Sequence, residues 1–152
     1  MGNVRDTDMG MHKISQLIKK LKKTTLKVGV FSEALNSEEG PSTYVAEYAI
    51  ANEYGNEHIP ERSFMRSTID EKEKQWTKLV DDALAEAIQG KENFESELYK
   101  IGAIARRDII EKIDSNINPP NSPSTIKKKG PHKNKTLVDH GVLRSSIEYR
   151  IN

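Results

Sequence analysis

SFMRSTIDEKEKQWTKLVDDALAEAIQGKENFESELYKIGAIARRDIIEKID, residues 63 to 114, is the stretch on which the fold turns. Its apolar residues fall into two runs with helical spacing. The first is Met65, Ile69, Trp76, Leu79/Val80, Ala83/Leu84 and Ala87/Ile88. That pattern predicts a helix that starts near Ser63, a competent cap, runs to Gln89 and is ended by Gly90. At about 1.5 Å per residue it spans about 39 Å. The second run, Leu98, Ile101, Ile104/Ala105, Ile109 and Ile113, predicts a helix over 94–114. Asn93 stands at its cap, and Glu95 and Glu97 sit where the helix dipole favours acids. Two long helices joined by about four residues pack antiparallel.

Upstream of the hairpin, residues 1–10 are polar and aperiodic and read as a flexible N-terminal arm. Ile14, Leu17, Ile18 and Leu21 predict a helix over 11–23 with lysines on its other face. Leu26, Val28 and Val30 alternate with Lys27 and Gly29, the pattern of a strand closed by Phe31 and Ser32. Residues 33–42 read as a loop, and Thr43–Tyr54 as a short helix with Val45, Ala49 and Ile50 on one side and Gly55 as its C-terminal cap. Downstream, 116–136 reads as a mobile Lys/Pro-rich loop with Pro119, Pro120, Pro123 and Pro131. Within it, Ser122-Pro123-Ser124-Thr125 predicts a one- or two-turn helix that Gly130-Pro131 stops. Asp139 caps a further short helix through Ser145, and 146–151 alternates as a terminal strand. The expected fold is α+β: a single domain over 11–152, in which a small antiparallel sheet of the 26–32 and 146–151 strands packs against the helical hairpin. Neither strand is stable alone.

Composition fits this outline. Charged residues make up 31% of the 152 residues, against a usual ~25%, as expected for long helices with solvated faces. The 24 Lys+Arg nearly cancel the 23 Asp+Glu, so net charge does not mark a nucleic-acid binder. Without cysteine there is no disulfide, thiolate catalysis or Cys-based metal site. No run approaches the ~18 apolar residues of a membrane span. The opening Met-Gly-Asn-Val-Arg-Asp is not expected to be a leader, and Asp6 breaks the myristoylation pattern.

No catalytic constellation is expected either. His12, His58, His132 and His140 show no i,i+4 pairing, and Asp139 and His140 are sequence neighbours that do not face each other on a helix. Neither a G-x-S-x-G turn nor a phosphate-cradling glycine loop occurs. Nothing fixes His58, His132 and His140 at a zinc. The chain is therefore read as a non-enzyme without metal or cofactor. Trp76 on its apolar stripe reads as core, Asp70-Glu71-Lys72-Glu73-Lys74 as a solvated face, and Gly102 as a site of close helix approach. Lys127, Lys128, Lys129, Lys133 and Lys135, with no acid between Asp114 and Asp139, form a local +5 patch. It reads as a solvated loop, an inter-subunit arm, or a DNA-phosphate contact with a log–log salt slope of roughly −4.5. No aromatic is interleaved, so it is not a stacking platform.

Two segments carry more than periodicity. One is Ile59-Pro60-Glu61-Arg62-Ser63-Phe64-Met65-Arg66, preceded by Asn52-Glu53-Tyr54-Gly55. It reads as a proline-set entry into the long helix, anchored by Phe64 and Met65, with Arg62 and Arg66 four apart on one face. The other is Leu137-Val138-Asp139-His140-Gly141-Val142-Leu143-Arg144-Ser145-Ser146-Ile147, preceded by Asn118-Pro119-Pro120. In this order, separated by two long helices, they resemble the tail-completion and virion-morphogenesis proteins of long-tailed bacteriophages. That family's pattern looks like N-E-[FY]-G, I-P-x-R-P-F-[LM]-R and L-[VI]-D-T-G-x-L-x-x-S-I. Ser63 and His140 depart from it, standing where the family has proline and threonine. The resemblance covers roughly residues 26–151.

It implies a structural subunit of the virion tail or neck, made in the host cytoplasm or encoded by a prophage. Such a subunit assembles with itself into a ring, hexameric by expectation, and docks with tail-tube or tail-terminator and head-connector proteins. Pro60, Arg62, Phe64, Met65, Arg66, Asp139, Gly141, Leu143, Ser146 and Ile147 would hold the family fold, and 1–10 and 116–136 would make inter-subunit contacts. The alternative reading is a small nucleic-acid-binding protein using the lysines of 127–135.

Overall fold

The computed structural model describes residues 9–31, 45–91, 93–130, 135–138 and 141–152. The elements run α1 (Met9–Leu21), β1 (Leu26–Val30), α2 (Val45–Tyr54), α3 (Met65–Ile88), α4 (Phe94–Asp114), α5 (Pro123–Lys129), α6 (Val142–Ser145) and β2 (Ile147–Ile151). The fold is α+β, as the periodicities predict. Residues 1–8 of the expected arm, the loop at 33–42, and Asp139 with His140 lie outside the described residues, and α1 begins at Met9.

The helical hairpin is α3 against α4. Asn93 caps α4 as expected, its side chain accepting from the Glu95 N–H. At the other end of the connection, Gly90 adopts φ +71°. The Lys91 N–H then reaches the Glu86 carbonyl at 3.0 Å and the Gly90 N–H the Ala87 carbonyl at 3.1 Å, a pairing that satisfies the last orphan carbonyls of α3. β1 and β2 pair antiparallel with Leu26 opposite Ile151 and Val30 opposite Ile147. The ladder extends by one pair, Thr25 with Asn152. This two-stranded ribbon lies on α4, which is what stabilises so small a sheet.

Two apolar clusters result. The larger gathers Phe64, Ile109, Ile113, Leu137, Leu143 and Ile147, with Val45 and Ala49 of α2 closing it and Trp76 packed at its edge. The smaller, towards the hairpin turn, holds Ala83, Phe94, Leu98 and Ile101, with Leu17 and Leu21 of α1 against it. Trp76 is half-buried against this core, and its indole N–H is satisfied by the buried Asp108 carboxylate at 2.9 Å.

Some expectations need correction. Gly102 faces the sheet and not α3: a Cβ there would lie 2.6 Å from the Tyr149 ring and 3.1 Å from Leu26. It lets β1 and β2 sit down on α4. Ile69 and Ile88, assigned to the buried stripe of α3, are exposed, Ile69 standing between an apolar hollow towards β1 and another towards α2. Ile50 also turns outward, although Val45 and Ala49 of the same helix are buried.

Candidate functional site

The two motif segments meet at the entry to α3. Glu53, next to last in α2, is 5% exposed, and its carboxylate is turned onto the first turn of α3. One oxygen accepts from the Phe64 N–H at 2.8 Å and the Met65 N–H at 2.9 Å. The other accepts from the Arg66 N–H at 2.9 Å and the Ser63 hydroxyl at 2.9 Å. The side chain of a different helix therefore does the work of an N-cap, with its negative charge at the positive end of the α3 dipole. Ser63, expected at the cap, stands one residue before it: Phe64 holds the cap position with no side-chain hydrogen bond of its own, while the Ser63 hydroxyl donates to Glu53 and accepts from the Ser67 N–H at 3.3 Å. Burial pushes the Glu53 carboxyl up. The hydrogen bonds from Met65, Arg66, Ser63 and Phe64 outweigh it and hold the group below the ordinary 4.5.

Arg66 completes this knot from the outside. Its guanidinium donates to the Glu53 carboxylate at 3.1 Å, the Glu53 carbonyl at 2.8 Å and Glu61 at 2.6 Å, and it stacks on Tyr54. Gly55 makes the turn possible: at φ +72° a Cβ would meet the Glu61 backbone nitrogen at 2.7 Å. Arg62 does not share a face with Arg66, because it precedes α3 and points the other way. It is 7% exposed, and its Nε and Nη2 donate to the carbonyls of Pro119 at 2.9 Å and Pro120 at 3.3 Å. Its own N–H donates to the Asn52 carbonyl at 2.7 Å. Burial lowers its pKa, yet an arginine stays charged throughout the working range.

Around this clamp the remaining motif residues fall into place. Phe64, Leu143 and Ile147 share the larger core, with Ile147 at 0% exposure. Met65 is half-buried and Pro60 exposed. Gly141, at φ +81°, opens α6, and Ser146 closes it with its hydroxyl donating to the Val142 carbonyl at 2.8 Å. Asp139 lies outside the described residues.

The lysine segment is more built than its sequence suggests. Ser122 caps α5, accepting from the Thr125 N–H, with Pro123 at the first turn. Lys129 reaches back to the carbonyls of Lys135, Thr136 and Val138, at 3.2, 3.4 and 3.1 Å. Lys135 pairs with Asp114 at 3.2 Å, and Arg144 meets the other oxygen of Asp114 at 3.1 Å. Asn116 accepts from the Thr136 N–H at 2.9 Å. The local +5 is thus partly neutralised by the helix end before it. Lys127 and Lys128 are exposed, and Lys133 lies outside the described residues.

A polar hollow of about 410 Å³ lies between Tyr48, Asn52, His58, Arg62, Pro120 and Thr136. Asn52, Arg62 and Asn121 donate there to backbone carbonyls, and among the described residues no buried side-chain nitrogen or oxygen lacks a partner. Nor do three metal-ligating side chains cluster among them. No helix there is long and apolar enough to cross a membrane. What the junction does chemically is hold: it locks two segments far apart in the chain, Arg62 and Pro119 being 57 residues apart, into one unit. Glu53 was missed as the central residue of this lock because capping patterns look three residues along the chain, and its partners are ten to thirteen away.

Comparison with protein-family models, curated proteins and solved structures returns no match.

Proposed function

We propose that the chain is a structural subunit of a tailed-phage virion, a tail-completion or head–tail joining protein that works by self-assembly and docking at the neck. The observation that supports this reading most is the Arg62 clamp. The two segments that carry the family resemblance are tied through the Pro119 and Pro120 carbonyls and share a core through Phe64, Leu143 and Ile147. Segments that resemble the family singly form one unit here, as a shared fold requires. In this reading the partners are further copies of the chain, the tail-tube or tail-terminator protein below and the head connector above, with no catalysis and no cofactor.

The test is complementation. Phage particles assembled without this subunit should accumulate as separate filled heads and tails, and adding the purified protein should restore joined, infectious particles. Addition of folded protein that leaves heads and tails apart would contradict the reading. The nucleic-acid alternative loses ground through Lys129 and Lys135, which are turned onto carbonyls and Asp114. With Lys127, Lys128 and Lys133 left for contact, the salt slope would fall to about −2.7.

A further inference from the structure

The clamp leaves part of Arg62 unused. A guanidinium carries five N–H donors, and two are engaged here, Nε on the Pro119 carbonyl and Nη2 on that of Pro120. Nη1 meets no acceptor among the described residues, yet no fully buried side-chain nitrogen there lacks a partner. Nη1 therefore has open surface. Arg62 is only 7% exposed and lines the polar hollow of about 410 Å³, so that surface looks into the hollow. The charge is uncompensated as well. Burial is the largest influence on this guanidinium, and among the described residues no carboxylate offsets it. Of the nearby acids, Glu53 and Glu61 are bound by Arg66, and Glu57 does not line the hollow. None of the described lining residues is an acid, while Lys129 adds a cation to the wall and the exposed His58 a basic group at the mouth.

We propose that this hollow binds a carboxylate, held end-on by Nη1 and the second N–H of Nη2 of Arg62. Two nitrogens side by side match the two oxygens of a carboxylate, in a pairing that is charge-assisted and directional. A phosphate fits less well. Its further oxygens would need donors that Lys129 does not offer, because that ammonium is turned onto the carbonyls of Lys135, Thr136 and Val138. The hollow is larger than a carboxylate alone requires, and Ile59, Pro60 and Pro120 stand in its walls. They suit the carbon skeleton that carries the acid, whether a small organic acid or an acidic residue of a polypeptide. Bound there, the carboxylate neutralises Arg62 without displacing its carbonyl partners, so occupancy also tightens the clamp between the two motif segments. The site stands apart from the neck reading and needs no second copy of the chain.

The test is a titration of ¹⁵N-labelled full-length protein with acetate, phosphate and chloride at matched ionic strength, following the assigned Arg62 Nε–H signal. The expected result is a saturable shift with acetate, at least as tight as with phosphate, and none with chloride. No saturable shift with acetate, or phosphate binding about tenfold tighter than acetate, would overturn the proposal. Arg62→Lys keeps the charge and removes the fork, so it should weaken acetate about tenfold, read by calorimetry on protein with a folded melting transition. His58→Glu changes an exposed residue and places an acid at the mouth, and it too should weaken acetate about tenfold, whether or not Arg62→Lys folds. Unchanged affinity in His58→Glu would overturn the proposal. So would binding lost in Lys127→Gln/Lys128→Gln, which would place the anion on the exposed lysines of α5. Succinate and a capped peptide with one glutamate separate the two sources: whichever exceeds acetate in affinity names the carrier of the carboxylate. Complementation is indifferent to all of these outcomes, so failure of this site and failure of the neck reading are told apart.

Discussion

The two ends of the helical hairpin are built on opposite terms. At the α3 entry, a core of Phe64, Ile113, Leu143 and Ile147 is sealed by a polar knot in which Glu53 takes hydrogen bonds from Ser63, Phe64, Met65 and Arg66. Towards the hairpin turn, four buried residues are covered by half of α1 with its line of lysines, and an open apolar cleft runs from there along the hairpin to Met65. The first end turns its polar groups, Arg62 Nη1 apart, onto the chain itself, with Ile50 and Tyr54 left outside, whereas the second has no such knot and leaves Ile18 and the lysines of α1 facing outward. The contrast teaches where stability resides and where partners are met: damage to the first should unfold the protein, and damage to the second should leave it folded and alone.

The sharpest way to break the contrast is at β2. Deleting 146–152 removes Ile147 from the larger core and the only partner of β1 among the described residues, so the folded state should be lost. A melting temperature unchanged by the truncation would deny the sheet any part in stability. Phe64→Ala should follow, costing about 4 kcal/mol in denaturant melts because a fully buried aromatic leaves a cavity. Glu53→Ala should cost about 3 kcal/mol, since the first N–H groups of α3 lose their acceptor and Arg66 its partner.

Acid sharpens the same point. The folded pKa of Glu53 lies below its ordinary 4.5, so the stability it contributes is fully present above that value and is lost as pH falls through the folded pKa. Glu53→Gln should therefore flatten the stability–pH curve below about 4.5, and a curve parallel to wild type would deny Glu53 its role. The smallest effect on stability should come from Ile18→Asp, within about 0.5 kcal/mol, as for a half-exposed surface position. A large loss there would mean that α1 belongs to the fold and not to assembly.

Much of this fold was legible in the sequence because its signals are local. Spacing of apolar residues marks α3 and α4, Asn93 and Ser122 declare their helix starts, and Gly90 a helix end. The pairing of the first and last strands followed from the need of each for a partner. What stayed hidden depends on distance in three dimensions. Glu53 looked like an ordinary helix acid, because its role appears only once α2 is brought against the start of α3. Gly102 announced a close approach that reads as helix against helix, but it is Tyr149 of the sheet that comes near. Ile69 and Ile88 kept perfect period yet lie exposed, since periodicity shows which face a residue occupies and not how far its cover extends.

The central claim, that the chain works by assembling with itself, is tested most directly by one measurement. It is the solution mass of wild-type protein and of Ile18→Asp, by light scattering over a concentration series at low and high salt. Wild type should pass from its 17.2 kDa monomer to one discrete multimer, while Ile18→Asp stays monomeric over the same range. A wild-type protein that remains monomeric throughout, or a multimer untouched by Ile18→Asp, would contradict the claim.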